Sequence, residues 1–130
     1  MKYLLDTNII IFFLKVRQGL VEKFDQIGFE NLYISEITIA ELKFGAEKSE
    51  YPDKNNSIIN DLIDKFKQIP IYSALDIYAK EKARLSRKGK IIDDFDLLIG
   101  STAIVNDMFL VTTNEKHFKK IKDIKIENLV

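Results

Sequence analysis

Apolar positions follow two alternating rhythms along the chain. Short apolar stretches at 3–5, 32–34, 69–72 and 109–111 have the length of buried strands, and the segments between them repeat apolar residues at helical spacing. That spacing predicts helices over 8–16, 20–28, 36–48, 54–68, 75–88 and 95–106, with a last strand near 125–127. Strands alternating with helices imply an α/β fold with a central, mostly parallel sheet flanked by helices. Thr7 can cap the first helix and Ser35 the third, and Gly89 suits the end of the fifth. Pro52 and Pro70 lie far apart and no linker or repeat interrupts the pattern, so residues 1–130 read as one domain.

In open parallel sheets, ligands gather beyond the carboxyl ends of the strands. Polar residues directly after strands are therefore the first to inspect. They are Asp6, the pair Ser35-Glu36, and the run Thr112-Thr113-Asn114. Asp6 and the run ending at Asn114 stand out, although a carboxylate at a strand end also suits the dipole of a following helix.

Glu41 sits inside an apolar stripe, with Ile37, Ala40, Phe44 and Gly45 as its helical neighbours. Burying a carboxylate there without a partner costs several kcal/mol or raises its pKa, so a cation or donor should lie close. A capping box from Thr38 to Glu41 is the structural alternative. The densest acidic cluster is Asp93-Asp94-Phe95-Asp96, placed before an apolar helical run. Asp94 is suited to be the N-cap and to take a direct or supporting part in a site. Asp96 falls in the first turn above Gly100 and Ala103, which points it inward, and Asp93 reads as a solvated neighbour.

Composition narrows the chemistry. The chain of 130 residues has no Cys and one His, which excludes thiolate catalysis, Cys-based zinc sites and any site needing two imidazoles. Asp6, Glu41 and Asp96 then form an oxygen-only set suited to Mg²⁺ or Mn²⁺, ions that retain water and act on phosphate esters. His117 reads as a packing or surface residue. The phenylalanines read as core or interface and form no base-stacking platform.

Formal charge is zero, with 20 basic and 20 acidic groups, but it is uneven. Residues 80–90 hold six cations against one anion, and residues 115–125 hold five against two. Arg84, Arg87, Lys88 and Lys90 are the candidate contacts to a phosphate backbone, the arginines foremost because guanidinium binds phosphate bidentately. A solvated amphipathic face is the ordinary alternative. Asp6 and Asn8 interrupt the apolar start, leaving an uninterrupted run of only six residues, 9–14. That is too short for a secretory segment or a spanning helix, and the expectation is an unprocessed cytoplasmic chain without membrane contact.

The motifs Leu4-Leu5-Asp6-Thr7-Asn8, Thr38-Ile39-Ala40-Glu41-Leu42 with Phe44-Gly45-Ala46-Glu47-Lys48-Ser49, Phe95-Asp96-Leu97-Leu98-Ile99-Gly100, and Leu110-Val111-Thr112-Thr113-Asn114 with His117-Phe118 occur in one order. In that order and spacing the chain resembles PIN-domain ribonucleases, in particular the VapC toxins of bacterial toxin–antitoxin modules. The resemblance implies a PIN-like fold hydrolysing RNA with Mg²⁺ or Mn²⁺. It matches Asp6, Glu41 and Asp96 to the family's acidic site residues, both as metal ligands and in catalysis, with Asp94, Asn114 and Thr112 in supporting places. Asn114 stands where many PIN domains have Asp, so a tightly held second metal is not implied. The resemblance also implies a homodimer, a cognate antitoxin that blocks the site, and tRNA or another structured RNA as substrate. Two other readings share the acidic pocket. One is a PIN-fold RNA-binding scaffold without catalysis. The other is a phospho-receiver-type module, which needs an Asp where this chain has Ser35-Glu36.

Overall fold

Leu4 and Leu5 are neighbours on one strand, so their side chains leave opposite faces of the sheet, and both are fully buried. A strand covered on both faces needs helices on both sides. The computed structural model, which describes residues 1–17 and 19–129, has that form. In chain order the elements are β1 (Tyr3–Leu5), α1 (Thr7–Leu14), α2 (Leu20–Ile27), β2 (Leu32–Ser35), α3 (Glu36–Glu47), α4 (Pro52–Ile63), β3 (Lys67–Ile69), α5 (Leu75–Arg87), α6 (Asp94–Val105), β4 (Phe109–Val111), α7 (Glu115–Phe118) and β5 (Ile126–Glu127). Single 3-10 turns occupy Phe29–Asn31 and Tyr72–Ala74.

All strand pairs are parallel, in the order β3-β2-β1-β4-β5. Tyr3 is in register with Leu32 on one side and Phe109 on the other. β1 is thus the point from which the chain builds the sheet first in one direction and then in the other. A crevice forms at the carboxyl end of such a switch point. Asp6 lies at that end, and its amide donates to the Val111 carbonyl at 2.9 Å, extending the β1–β4 ladder by one bond.

Two apolar layers cover the sheet. Leu5 packs with Ile9 and Ile10 of α1, Leu20 and Phe24 of α2, Leu42 of α3 and Leu62 of α4. Leu4 packs with Leu85 of α5, Leu97, Ile99 and Ala103 of α6, and Phe118 of α7. In the first layer the Phe24 ring stacks on Phe13 at 5.0 Å and meets the edges of Phe29 at 6.2 Å and Phe66 at 5.9 Å. In the second, α6 approaches the segment after α7 closely. A Cβ on Gly100 would lie 2.6 Å from Ile121 Cδ1 and 3.8 Å from the Phe118 ring, so glycine permits this contact.

Several boundaries differ from the sequence expectation. Asp6, not Thr7, caps α1, with Oδ1 accepting from the Thr7 amide at 2.9 Å, because the Thr7 hydroxyl is engaged elsewhere. Asp93, not Asp94, caps α6 through Phe95 N at 3.1 Å. Ser35 caps α3 as expected, accepting from Ile37 N at 3.0 Å. The helix expected over 54–68 is α4, Pro52–Ile63, with Pro52 in its first turn where a missing N–H costs nothing. The strand expected over 69–72 is β3, Lys67–Ile69. It is an edge strand with exposed Lys67 and Gln68, so it lacks an apolar signature, and Pro70 follows it. α7 was not expected as a helix. Gly89, at φ 67°, does follow the end of α5.

Replacing Phe24 with Ala removes the ring on which three others converge. We expect a loss of about 3–5 kcal/mol, read as a lower urea midpoint at unchanged slope.

Candidate active site

Three elements deliver one carboxylate each to a single open cavity of about 840 Å³. Asp6 comes from the end of β1, Glu41 from the second turn of α3 and Asp96 from the first turn of α6. Asn8, Asn114, Phe44, Gly45, Lys48 and Phe95 also line it. The sequence-predicted trio is thus brought together at the switch point of the sheet.

Asp6 is the most deeply set, 5% exposed. Its Oδ1 is held by the Thr7 amide, and its Oδ2 accepts from the Thr112 hydroxyl at 2.9 Å. The buried Thr112 hydroxyl in turn accepts from the Asn114 amide at 3.0 Å, which locks the turn after β4 onto the site. Asn114 reaches the cavity wall without adding charge. Burial pushes the Asp6 carboxyl above its ordinary range, the Thr112 and Thr7 hydrogen bonds oppose that, and the Asp96 carboxylate pushes it further up.

Glu41 does not form the capping box with Thr38. Its Oε1 accepts from the Thr7 hydroxyl at 2.7 Å, and Thr7 also lies 3.0 Å from the Thr38 hydroxyl. α1 and α3 are therefore joined at the cavity by hydroxyls that hold a carboxylate in one orientation.

Asp96 is half-buried, and its Oδ2 lies 3.1 Å from His117 Nε2. Burial raises its pKa, His117 opposes the rise, and the Asp93 and Glu41 carboxylates add to it. The reading of His117 as a packing or surface residue is corrected here, because its ring contacts a site carboxylate. No local signal revealed this. The contact spans 21 residues and depends on how α7 docks.

Among the described residues no Lys or Arg forms an ion pair with Asp6, Glu41 or Asp96. An anionic cavity with two raised carboxyls and without a paired basic side chain suits a hard cation. No three acidic or imidazole side chains among the described residues are grouped tightly enough to cage an ion alone.

Other predicted residues lie elsewhere. Asp94 turns away from the cavity and accepts from Tyr78 Oη and Lys82 Nζ, each at 2.8 Å, so its supporting role in the site is withdrawn. Arg84 is not a free phosphate contact. Its Nε and Nη2 bond Glu81 at 2.9 and 2.6 Å, and Nη2 also donates to the Lys120 carbonyl, tying α5 to the segment after α7. The Glu81 partner three residues upstream was a sequence signal for this. Arg87, Lys88 and Lys90 are exposed around the end of α5, outside the cavity lining.

The cavity rim is instead aromatic, with one cation. Phe44 is 65% exposed, Phe95 is 47% exposed, and Lys48 Nζ stands 5.2 Å from the Phe44 ring centre. Phe44, Gly45 and Lys48 follow Glu41 at three, four and seven residues along α3, a spacing that sequence reasoning could have followed from Glu41. Gly45 stands in the last turn of α3 with open space where a side chain would be.

Comparison with known proteins agrees with this anatomy. The PIN domain family model matches residues 3–124. The chain is 36% identical to the ribonuclease VapC2 of Haemophilus influenzae, over 100% of this chain and 99% of that one. It is 29% identical to the tRNA(fMet)-specific endonuclease VapC of Shigella flexneri, over 98% of each. A chain in the crystal structure of DNA-bound VapBC from Salmonella typhimurium superposes with a TM-score of 0.93 at 31% identity, covering 100% and 99% of the two chains.

The raised carboxyls set a sign for stability. The folded chain keeps protons on Asp6 and Asp96 at pH values where the unfolded chain, near 3.8, has released them. Their contribution therefore falls as pH rises from the unfolded to the folded pKa, and the penalty is complete above the latter. Asn caps a helix as well as Asp. In EDTA at pH 7.5, Asp6→Asn should melt at a higher temperature than wild type, and the gain should vanish below pH 3.8. A lower melting temperature for the variant at pH 7.5 contradicts this account.

Proposed function

The chain belongs to the PIN-domain family, and from that premise we propose that it is a metal-dependent endoribonuclease, the toxin of a VapBC-type module, acting as one catalytic domain in the cytoplasm. The observation that carries the reading is the convergence of Asp6, Glu41 and Asp96 on one cavity at the carboxyl end of β1. Asp6 and Asp96 would hold Mg²⁺ or Mn²⁺. When bound, such an ion neutralises charge on the phosphodiester and lowers the pKa of a coordinated water. Glu41 Oε1 is fixed by Thr7, so Oε2 is the atom left to orient an attacking water. Thr112 keeps Asp6 aimed into the cavity.

RNA meets the cavity across Phe44 and Phe95, whose exposed faces suit stacking of unpaired bases, while Lys48 suits a phosphate. The tRNA-specific relative makes tRNA the first substrate to try. Among the described residues no helix is long and apolar enough to cross a membrane.

An antitoxin partner follows from the VapBC relatives. A second, apolar groove of about 480 Å³, lined by Ile11, Leu14, Leu42, Ala46, Ile58 and Ile59, shares Thr7, Glu41 and Gly45 with the carboxylate cavity. A polypeptide with apolar side chains in the groove and a basic one among the carboxylates would exclude both metal and RNA. A homodimer belongs to the same proposal.

Asp6→Asn and Asp96→Asn should each reduce cleavage of a tRNA pool below detection, and EDTA should stop the wild type, with Mg²⁺ or Mn²⁺ restoring it. Cleavage at the wild-type rate by either variant defeats the assignment. Phe44→Ala should raise KM with kcat little changed, measured on an unpaired RNA loop.

A further inference from the structure

We propose that His117 is a positioning residue that fixes the Asp96 carboxylate for metal binding. The inference rests on the reading of Asp96 as a metal ligand. An ionised carboxylate only accepts hydrogen bonds, so at 3.1 Å it is the imidazole that donates, and the proton sits on Nε2. Oδ2 is then engaged and Oδ1 is left for the cavity. Without that bond the short Asp96 side chain, in the first turn of α6, has the free helix amides as a competing attraction.

The packing explains why His117 can do this. Phe118, beside it, is 1% exposed and lies in the core under α6. Gly100 lets Ile121 and Phe118 press against α6 one turn below Asp96. The Arg84 guanidinium, bonded to Glu81 and the Lys120 carbonyl, and the Lys122 amide bonded to Glu81, fasten the following segment to α5. α7 is thereby anchored on two helices, and the His117 ring, set edge-on to Phe118 at 5.6 Å, is carried to Asp96. The ring stands behind Asp96 in the manner of the hydrogen-bonded groups that orient metal ligands from behind.

The test is Mn²⁺ binding to the purified chain, followed by electron paramagnetic resonance, for wild type, Asp96→Asn, His117→Leu and His117→Gln, with melting temperatures alongside. Wild type should bind and Asp96→Asn should not. His117→Leu should bind about 10–100-fold more weakly, and His117→Gln, whose Nε2 can donate in the same place, should recover most of the loss. Binding by His117→Leu within twofold of wild type, or tighter than wild type, overturns the proposal, the latter because the ring would then be competing with the ion. Absence of binding in the wild type itself defeats the metal-site reading and this proposal with it, a result distinct from an effect of His117 alone. Long-range ¹H–¹⁵N spectra of wild type give an answer that does not need a folded leucine variant. They should show the Nε2–H tautomer. A wild-type Nδ1–H tautomer overturns the assignment.

Discussion

The structure depends on a three-residue strand that is covered on both faces. β1 places Leu4 in one apolar layer and Leu5 in the other, and parallel neighbours on its two edges satisfy its backbone. Nothing polar is tolerable along such a strand until it ends. Asp6 is the first residue free to carry charge, and it emerges where β1 and β4 finish together. The same ladder brings Thr112 level with it, so the deepest carboxylate and its hydroxyl donor are placed by strand register. The site is thus a consequence of how the sheet is built, with α3 and α6 each presenting one more carboxylate over the same edge.

Gathering like charges opposes folding, and the chain moderates this with hydrogen-bond donors. Thr7 N–H and Thr112 hold Asp6, the Thr7 hydroxyl holds Glu41, and His117 holds Asp96. None of these removes the negative charge of the cavity. A Lys or Arg in their place would stabilise the empty protein more and close it to a cation. Among the described residues that line the cavity, the lysine is Lys48, at the rim over Phe44. The proposed function puts a metal in the interior and a nucleic acid at the rim.

What could be read from the sequence depended on whether the deciding contact was local. The runs at 3–5 and 109–111 coincide with β1 and β4, because a doubly buried strand leaves an apolar run with a sharp polar end. β3 left no such mark, since Lys67 and Gln68 of this edge strand face solvent and Ile69 is the residue it sends against the apolar layer. The cap of α1 moved from Thr7 to Asp6 because a glutamate 34 residues away takes the Thr7 hydroxyl. The trio of carboxylates was legible from strand ends, helical spacing and motif order. Asp94 and Arg84 were misplaced because each finds a partner on α5, and His117 because its contact exists only after α7 has docked.

Gly45 shows what the chain gives up for its task. Beyond its chain neighbours and the backbone of its own helix, a Cβ at Gly45 would meet no atom within 4 Å, whereas alanine in a helix is favoured over glycine by about 1 kcal/mol. It also stands where the carboxylate cavity and the apolar groove meet. Optimising the isolated chain for stability alone would fill this position and narrow the junction that the proposed function assigns to substrate and inhibitor. Gly45 is therefore a place where thermostability and activity select in opposite directions.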